Sequence, residues 1–376
     1  MKIAHVVTLV SPDGAFGGPV RVATNLAKAM QDAGHEVMIL GAFRGYKEPP
    51  TSVEGVPVRL FRAQQALPGL GFSGLVAPSL MGYLNKHIAD FNVVHVHLAR
   101  DLITLPVAML ARKKRIPYVL QTHGMVDPST RRLANMLDTV GTRMALRGAY
   151  VLFHLTQQER VDLEQVALTK ELPLVSLPNG VPRSDFQADA QSGREVLFLA
   201  RIQARKRPLI FVEAAIALHD EFPETRFTLV GADEGEAPSV LARIESAGAQ
   251  DYVSWEGSLE PEKTLERMSR ASVYVLPSVN EPFAMTVLEA MSIGLPSIVT
   301  NTCGLIPQLH NPNAIAVVDD SLDALVAQLR RLLSDHTARG LLGRQARIEA
   351  EAHFSIHEVA RLAMSAYPQP ETEANG

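Results

Sequence analysis

The chain has 376 residues, 47% hydrophobic and 20% charged, which is enough apolar material for two separately cored domains of ordinary size. Its one cysteine, Cys303, excludes an intrachain disulfide and any multi-cysteine metal centre, and fits a reducing cytoplasm. The net charge is −4, but residues 1–190 hold 20 Lys and Arg against 15 Asp and Glu, while the whole chain holds 36 against 40; with aromatics at 6% and not interleaved with the basic residues, no nucleic-acid module is present.

In chain order, short apolar runs alternate with helical patterns. The first, 3–9, is too short to cross a bilayer and lacks a leader-cleavage pattern, so it reads as a buried strand. A helix over 20–33 follows, then strands at 36–40, 56–61, 93–96, 118–121, 150–155 and 174–177. The β-α order restarts after the polar stretch 183–194. Strands fall at 196–200, 226–230, 253–255, 273–276, 297–300 and 314–317, with helices over 209–221, 285–293 and 322–334. This alternation predicts an α/β chain of two doubly wound, Rossmann-like domains, 1–183 and 184–353, facing one another across a cleft. Ligands in such sheets bind beyond the carboxyl ends of the strands. Residues 367–376 read as a disordered tail.

The most informative stretch is Asn280-Glu281-Pro282-Phe283-Ala284-Met285-Thr286-Val287-Leu288-Glu289. Pro282 suits a position just before a first helical turn, so the helix is expected to begin near Phe283 or Ala284. The N–H groups around Ala284, Met285 and Thr286 then lack helical partners and form a site for an anionic phosphate. Glu281 stands ahead of that site and Glu289 about 6–9 Å behind it along the axis. This suits a sugar–diphosphate–ribose, with a hydroxyl-bearing ring at each end. Arg201 and Lys206, just beyond the strand at 196–200, supply two cations able to clamp a diphosphate; a solvated basic turn is the alternative.

Gly14-Ala15-Phe16-Gly17-Gly18-Pro19 follows the first strand and opens a helix. It meets neither the dinucleotide nor the P-loop template, and is either a close approach to a ligand or a tight turn. Asn179-Gly180 is a turn signal at the end of the first half. Gly231 ends a strand, with a close backbone approach that suits a nucleotide base. His95 and His97 lie two apart on one strand face. A metal would need a third ligand, and none is assigned. His123 closes another strand, placed to bond a sugar hydroxyl, and Asp127 either orients an acceptor or starts the next helix. Arg112 to Arg115, with Arg131, Arg132, Arg143 and Arg147, forms either a solvated face or a surface for an anionic acceptor or membrane leaflet.

In this order, Gly17-Gly18, Thr122-His123-Gly124, Asn179-Gly180-Val181, Arg201 with Lys206, Gly231 and Glu281-Pro282-Phe283 through Glu289-Ala290-Met291 resemble the retaining nucleotide-sugar glycosyltransferases of family 4, along nearly the whole chain. The resemblance implies the GT-B fold, with an acceptor-binding first domain, a donor-binding second domain, and a last helix, 354–366, returning to the first. It implies donor contacts from Gly17, Gly18, Arg201, Lys206, Gly231, Glu281, Phe283, Ala284, Met285, Thr286 and Glu289. It implies catalytic roles for His123, Arg201, Lys206 and Glu281, and acceptor contacts from Arg21, His97, His123 and Asp127. No metal or other cofactor is implied beyond the nucleoside-diphosphate sugar substrate. The expected activity is hexosyl transfer to a hydroxyl with retention, by same-face attack, onto a bacterial surface glycan or glycolipid. The enzyme is expected in the cytoplasm, peripheral to the inner face of the membrane. Departures are Ala284 where many members have Gly, Gln308 in place of a carboxylate, and only part of a Ser/Thr-rich element at Thr156-Gln157-Gln158-Glu159. A sugar-nucleotide epimerase and a catalytically dead nucleotide-sugar binder remain alternatives.

Overall fold

The computed structural model describes residues 1–12, 17–66, 71–190 and 193–369. Two units divide it, Met1–Gly180 together with the segment from Ile356, and Val181–Ser355.

The strands of the first unit are β1 (Lys2–Val10), β2 (Glu36–Phe43), β3 (Ser52–Val53), β4 (Val56–Arg62), a two-stranded pair β5 (Gln64–Gln65) and β6 (Leu75–Val76), then β7 (Val93–His97), β8 (Tyr118–Gln121), β9 (Val151–His154) and β10 (Leu174–Ser176). Those of the second are β11 (Glu195–Leu199), β12 (Arg226–Val230), β13 (Val253–Trp255), β14 (Val273–Leu276), β15 (Ser297–Thr300) and β16 (Ala316–Val318). The first sheet runs β10-β9-β8-β7-β1-β2-β4-β3, parallel except for β3, and the second runs β13-β12-β11-β14-β15-β16, parallel throughout. Numbered within its unit, the second order is 3-2-1-4-5-6, the doubly wound arrangement. The strand runs β7, β8, β9 and β14 are buried at every position, as sheets covered on both faces require.

Helices cover these faces: α1 (Gly17–Asp32), α2 (Pro78–His87), α3 (Thr104–Lys114), α4 (Arg132–Leu137), α5 (Arg143–Gly148) and α6 (Gln157–Ala167) in the first unit, and α7 (Pro208–Leu218), α8 (Ala237–Ser246), α9 (Thr264–Ser269), α10 (Met285–Ser292), α11 (Leu322–Ser334) and α12 (His336–His353) in the second. The last, α13 (Ile356–Ala366), returns to the first unit and packs on α1. The reason is in its spacing. Ile356, Val359, Ala360 and Ala363 are buried at i, i+3, i+4 and i+7, and meet a matching stripe of Ala23, Leu26, Ala27 and Met30. The tail expected from residue 367 does not begin there. Tyr367 is buried, and its hydroxyl lies 2.6 Å from His95 Nδ1; residues 370–376 lie outside the described residues. Among the described residues, no helix is long and apolar enough to cross a membrane.

Candidate functional site

A doubly wound sheet opens a crevice where its strand order reverses, here between β11 and β14. The chain leaves β11 into Arg201–Lys206 and leaves β14 into Asn280–Ala284, so residues 75 apart meet beyond the same sheet edge. Lys206 Nζ lies 2.5 Å from Glu281 Oε2, and both residues are buried. Arg205 Nη1 is 3.5 Å from the same oxygen. Burial pushes the Lys206 ammonium down from its ordinary value, while Glu281 pulls it back up. The Glu281 loop is braced from behind. Asn280, in the left-handed region at φ 51°, donates its N–H to Thr302 Oγ1 at 2.9 Å, and Gly304 N–H donates to the Glu281 carbonyl at 2.8 Å. Between them, burial raises the Cys303 thiol to about 11, which makes it a packing residue and not a nucleophile.

Helix α10 starts at Met285, as the helical run 285–293 suggests and a residue or two past the start read from Pro282, with Ala284 as its cap. Thr156, Ser321 and Asp335 cap α6, α11 and α12 with side-chain oxygens, but Ala284 has none to offer. The start of α10, three residues past Glu281, therefore has no side-chain cap. Phe283 is buried and anchors the approach, and Glu289 is buried one turn in. The Tyr274 hydroxyl donates to the Leu199 carbonyl at 3.0 Å and lies 2.8 Å from Thr286 Oγ1, tying α10 to the end of β11. The sequence carried no signal for Tyr274, because a strand tyrosine reads as core.

Arg201, like Lys206, is already paired with a carboxylate. Its Nη1 contacts Glu234 Oε1 at 2.8 Å and Oε2 at 3.1 Å, in an exposed pair. That pairing follows from the zipping of two loops: Ile202 N–H donates to the Ala232 carbonyl at 2.8 Å, and Glu234 N–H to the Ile202 carbonyl at 3.0 Å. Gly231 makes the zipping possible. It holds φ at 150°, and a Cβ there would lie 1.9 Å from the Ala200 carbonyl oxygen. The close approach read from sequence is therefore made to the neighbouring loop, with the Gly231 carbonyl accepting from Trp255 Nε1 at 2.9 Å.

In the first unit a chain of imidazoles crosses the sheet. His5 Nδ1 lies 3.1 Å from His97 Nε2, and His97 Nδ1 lies 2.8 Å from His123 Nε2. His95 stacks on His97 at 4.6 Å. All four sit below their ordinary value, chiefly through burial, with His5 and His123 lowered to about 3. They are neutral at pH 7, and each neutral ring carries one proton. His5 Nε2 has no hydrogen-bond partner. Leaving a lone pair stranded there costs less than stranding an N–H, so His5 donates to His97 and His97 donates to His123. The proton of His123 then resides on Nδ1. His97 is a correction to the expected acceptor contact: it is buried with both nitrogens committed to His5 and His123. The ring nitrogens of His5, His95 and His97 do converge within 4.8 Å, a cluster whose third member, His5, went unnoticed in the sequence. Their hydrogen bonds to one another, to His123 and to Tyr367 occupy four of those six nitrogens.

His123 does not end its strand. It stands two residues past β8 at φ 52°, a strained position for a residue with a Cβ. Glu159 holds it there. Its buried carboxylate accepts from Thr122 Oγ1 at 2.5 Å, Gly124 N–H at 2.6 Å and Leu155 N–H at 2.6 Å. Thr156-x-x-Glu159 has capping-box spacing, and Thr156 does cap the Glu159 N–H at 3.1 Å. The glutamate reaches instead to the His123 loop, which is the role the sequence left unread.

Of the remaining expected residues, Gly17 and Gly18 open α1, with open space where a Cβ at Gly18 would stand; Gly14 to Phe16 lie outside the described residues. Arg21 is half-buried on α1. Asp127 does not start a helix, since α4 begins at Arg132. It is exposed, with Oδ1 3.1 Å from Arg100 Nη1. The expected basic face is partly spent on structure. Arg112 donates to the Met144 carbonyl, Arg143 to that of Val166 and Arg147 to that of Ala167.

Comparison with known proteins places this geometry. The model of the glycosyl transferase 4-like domain matches residues 17–180, and that of glycosyl transferases group 1 matches residues 183–349. The chain belongs to the group 1 glycosyl transferases. It is accordingly an enzyme that transfers a sugar from a nucleotide sugar. It is 26% identical over 361 residues to a phosphatidyl-myo-inositol mannosyltransferase of Mycolicibacterium smegmatis, covering 90% of this chain and 86% of that one. It is 30% identical over 191 residues to a D-inositol 3-phosphate glycosyltransferase of Arthrobacter, covering 50% of this chain and only 45% of that relative's length. Among solved structures, Anabaena Alr3699/HepE in complex with UDP superposes with a TM-score of 0.76 at 17% identity, over 97% of this chain and 99% of the other. WaaG, a glycosyltransferase of lipopolysaccharide biosynthesis, superposes with a TM-score of 0.68 at 18% identity, over 98% and 100%. The two parallel α/β units are thus those of the GT-B fold.

Proposed function

We propose that this enzyme transfers a hexosyl unit from a nucleoside-diphosphate sugar to a hydroxyl of a surface glycan or glycolipid, with retention at the anomeric carbon and no metal in the reaction. The observation that carries the reading is the meeting of Lys206 and Glu281 at the strand-order reversal, against the side-chain-free start of α10. A diphosphate placed there meets backbone N–H groups, the positive end of a helix and the Lys206 ammonium. Charge on the departing diphosphate grows during transfer, and fixed donors aimed at it lower the barrier. Arg201 joins by leaving Glu234, an exposed pair worth about 0–1 kcal/mol. Glu289 serves the ribose and Glu281 the donor sugar. No carboxylate stands as an evident nucleophile, so we favour attack from the same face, the leaving phosphate taking the acceptor's proton. His123, protonated at Nδ1, offers a hydrogen-bond donor to the transferred sugar, with Arg21 and Asp127 on the acceptor side.

A membrane-borne acceptor is supported by Met136, Val140 and Met144. They are exposed at four-residue spacing along the segment from α4 to α5, with Arg131 and Arg132 exposed beside them. The reading is tested by incubating the protein with UDP-, GDP-, ADP- and dTDP-sugars and following free nucleoside diphosphate. Slow release of one of them, lost by about two to three powers of ten in Lys206→Ala, is expected. An isomerised sugar without release indicates an epimerase, and a thermal shift without turnover a binder; either result overturns the proposal.

A further inference from the structure

A second constellation of ligand-type side chains lies in the second unit, away from the Lys206–Glu281 loops in sequence and unused by the proposed reaction. Glu349 and His353 are four residues apart on α12, hence on one face of the helix. His310 reaches them from the loop after β15. Nitrogen and oxygen atoms of the three converge within 4.8 Å of one another.

Three features distinguish this set from chance proximity. The Glu349 carboxylate is nearly fully buried, with 4% of its side chain exposed, yet its only ion-pair contact among the described residues is His310. A buried carboxylate with no Lys or Arg beside it is costly unless something else supplies positive charge. Second, the carboxylate is held in place by outer partners: Oε1 accepts from the His310 N–H at 2.7 Å and Oε2 from the Asn311 N–H at 3.1 Å. Each oxygen keeps a further lone pair for a ligand, and such orientation from behind is how protein metal sites are built. Third, His310 Nδ1 lies 3.6 Å from Glu349 Oε1, too long for a hydrogen bond. It is close to the edge of about 3.3 Å expected between two ligands of a tetrahedral ion with bonds of about 2.05 Å.

We infer that His310, Glu349 and His353 form a binding site for a borderline divalent cation of the zinc type, coordinated by two imidazoles and one carboxylate with water completing the shell. The donor set of nitrogen and carboxylate oxygen suits Zn²⁺ and disfavours Mg²⁺ or Ca²⁺, which prefer all-oxygen shells. At present the His310 and His353 rings stack at 3.7 Å, 15° apart. Binding tilts the exposed His310 ring, 66% accessible, about its Nδ1, which opens the stack and points the lone pair at the ion while the Nδ1–Oε1 separation is kept. The ion then fastens the loop that follows β15 to α12. Gly304 of that loop donates to the Glu281 carbonyl, so the site braces the donor-side loop from outside without touching it. The inference does not depend on the transferase reading.

The test uses the full chain, dialysed against a chelator and titrated with Zn²⁺ by calorimetry and with Co²⁺ by visible absorption. One equivalent bound is expected, with the intense band of a low-symmetry Co²⁺ centre. Affinity should weaken at least tenfold in His310→Ala, an exposed position whose replacement leaves the fold intact by circular dichroism, and again in His353→Ala. Absence of stoichiometric uptake overturns the inference. So does uptake unchanged in both variants, which would place the ion elsewhere in the chain.

Discussion

Acidification should dismantle the first unit well before the second. His5, His95, His97 and His123 are neutral in the fold, each lowered chiefly by burial from an ordinary value of 6.5. In the unfolded chain they take up protons below that value, while the fold does not until about pH 3 for His5 and His123. The unfolded state therefore binds more protons throughout this window, and stability falls as pH falls. Each residue costs about 1.4 kcal/mol per pH unit below 6.5. Four together give about 5 kcal/mol between pH 7 and 5.5, against a total of about 5–15 kcal/mol for an ordinary domain. Asp101, raised by burial, acts in the opposite sense, but it is one group against four. The assay is scanning calorimetry from pH 7.5 to 5 in buffers of different ionisation enthalpy, which counts protons taken up on unfolding. Trp255 is the only tryptophan and lies in the second unit, so its fluorescence follows that unit separately. Uptake should approach three to four protons for the first unit near pH 5.5, reduced by about one in His5→Leu. A first-unit transition that shifts no more with pH than the Trp255 signal would refute the neutral-cluster argument.

Lys206→Met leaves Glu281 buried with only Arg205 at 3.5 Å, and should cost about 3 kcal/mol, near the low end for a broken buried pair, in urea unfolding followed by Trp255; Lys206→Met with Glu281→Leu should recover most of it, and a single variant within 1 kcal/mol of the parent denies the pair. Gly231→Ala drives a Cβ into the Ala200 carbonyl at a strained φ and should lose about 2–6 kcal/mol with a shifted Trp255 emission; an unchanged midpoint means the two loops are not zipped as described. Glu159→Gln weakens three short bonds around the His123 turn and should lower first-unit stability by about 2–4 kcal/mol and nucleoside-diphosphate release at least tenfold; if circular dichroism and turnover both match the parent, Glu159 does not position His123.

Parallel sheets announce themselves strongly, because strands buried on both faces are continuous apolar runs. All thirteen strands expected from such runs form, among them 118–121 and 226–230 with identical ends, and among the described residues only the two-residue strands β3, β5 and β6 went unseen. Of the candidate site, the helix start behind Glu281 was legible from Pro282, and Glu289 was rightly placed on that helix. What sequence could not supply was pairing at a distance. Glu234 lies 33 residues from Arg201, and Glu159 lies 35 from Gly124. Each contact exists because two loops leave adjacent strands, a fact of strand order. Histidine burial was illegible for a related reason: His5 and His95 sit side by side only through the β1–β7 register.

Under the proposed function, Lys206 and Arg201 carry different tasks. Lys206 is buried, and a buried ammonium without a counter-charge would neutralise or unfold its surroundings. Glu281 must therefore hold it before any substrate arrives, and a diphosphate entering there joins a site whose geometry is already set. Arg201 is exposed, and water screens its bond to Glu234, so exchanging that carboxylate for a phosphate costs little. Under the proposed function, the buried pair would fix where the anion sits, and the exposed one would supply the charge that changes partner on binding. Replacing Glu234 with Gln should accordingly tighten the donor while leaving the buried pair intact, whereas Glu281→Gln disturbs the buried pair itself. Donor affinity unchanged in the Glu234 variant would mean that Arg201 keeps its carboxylate and meets no phosphate.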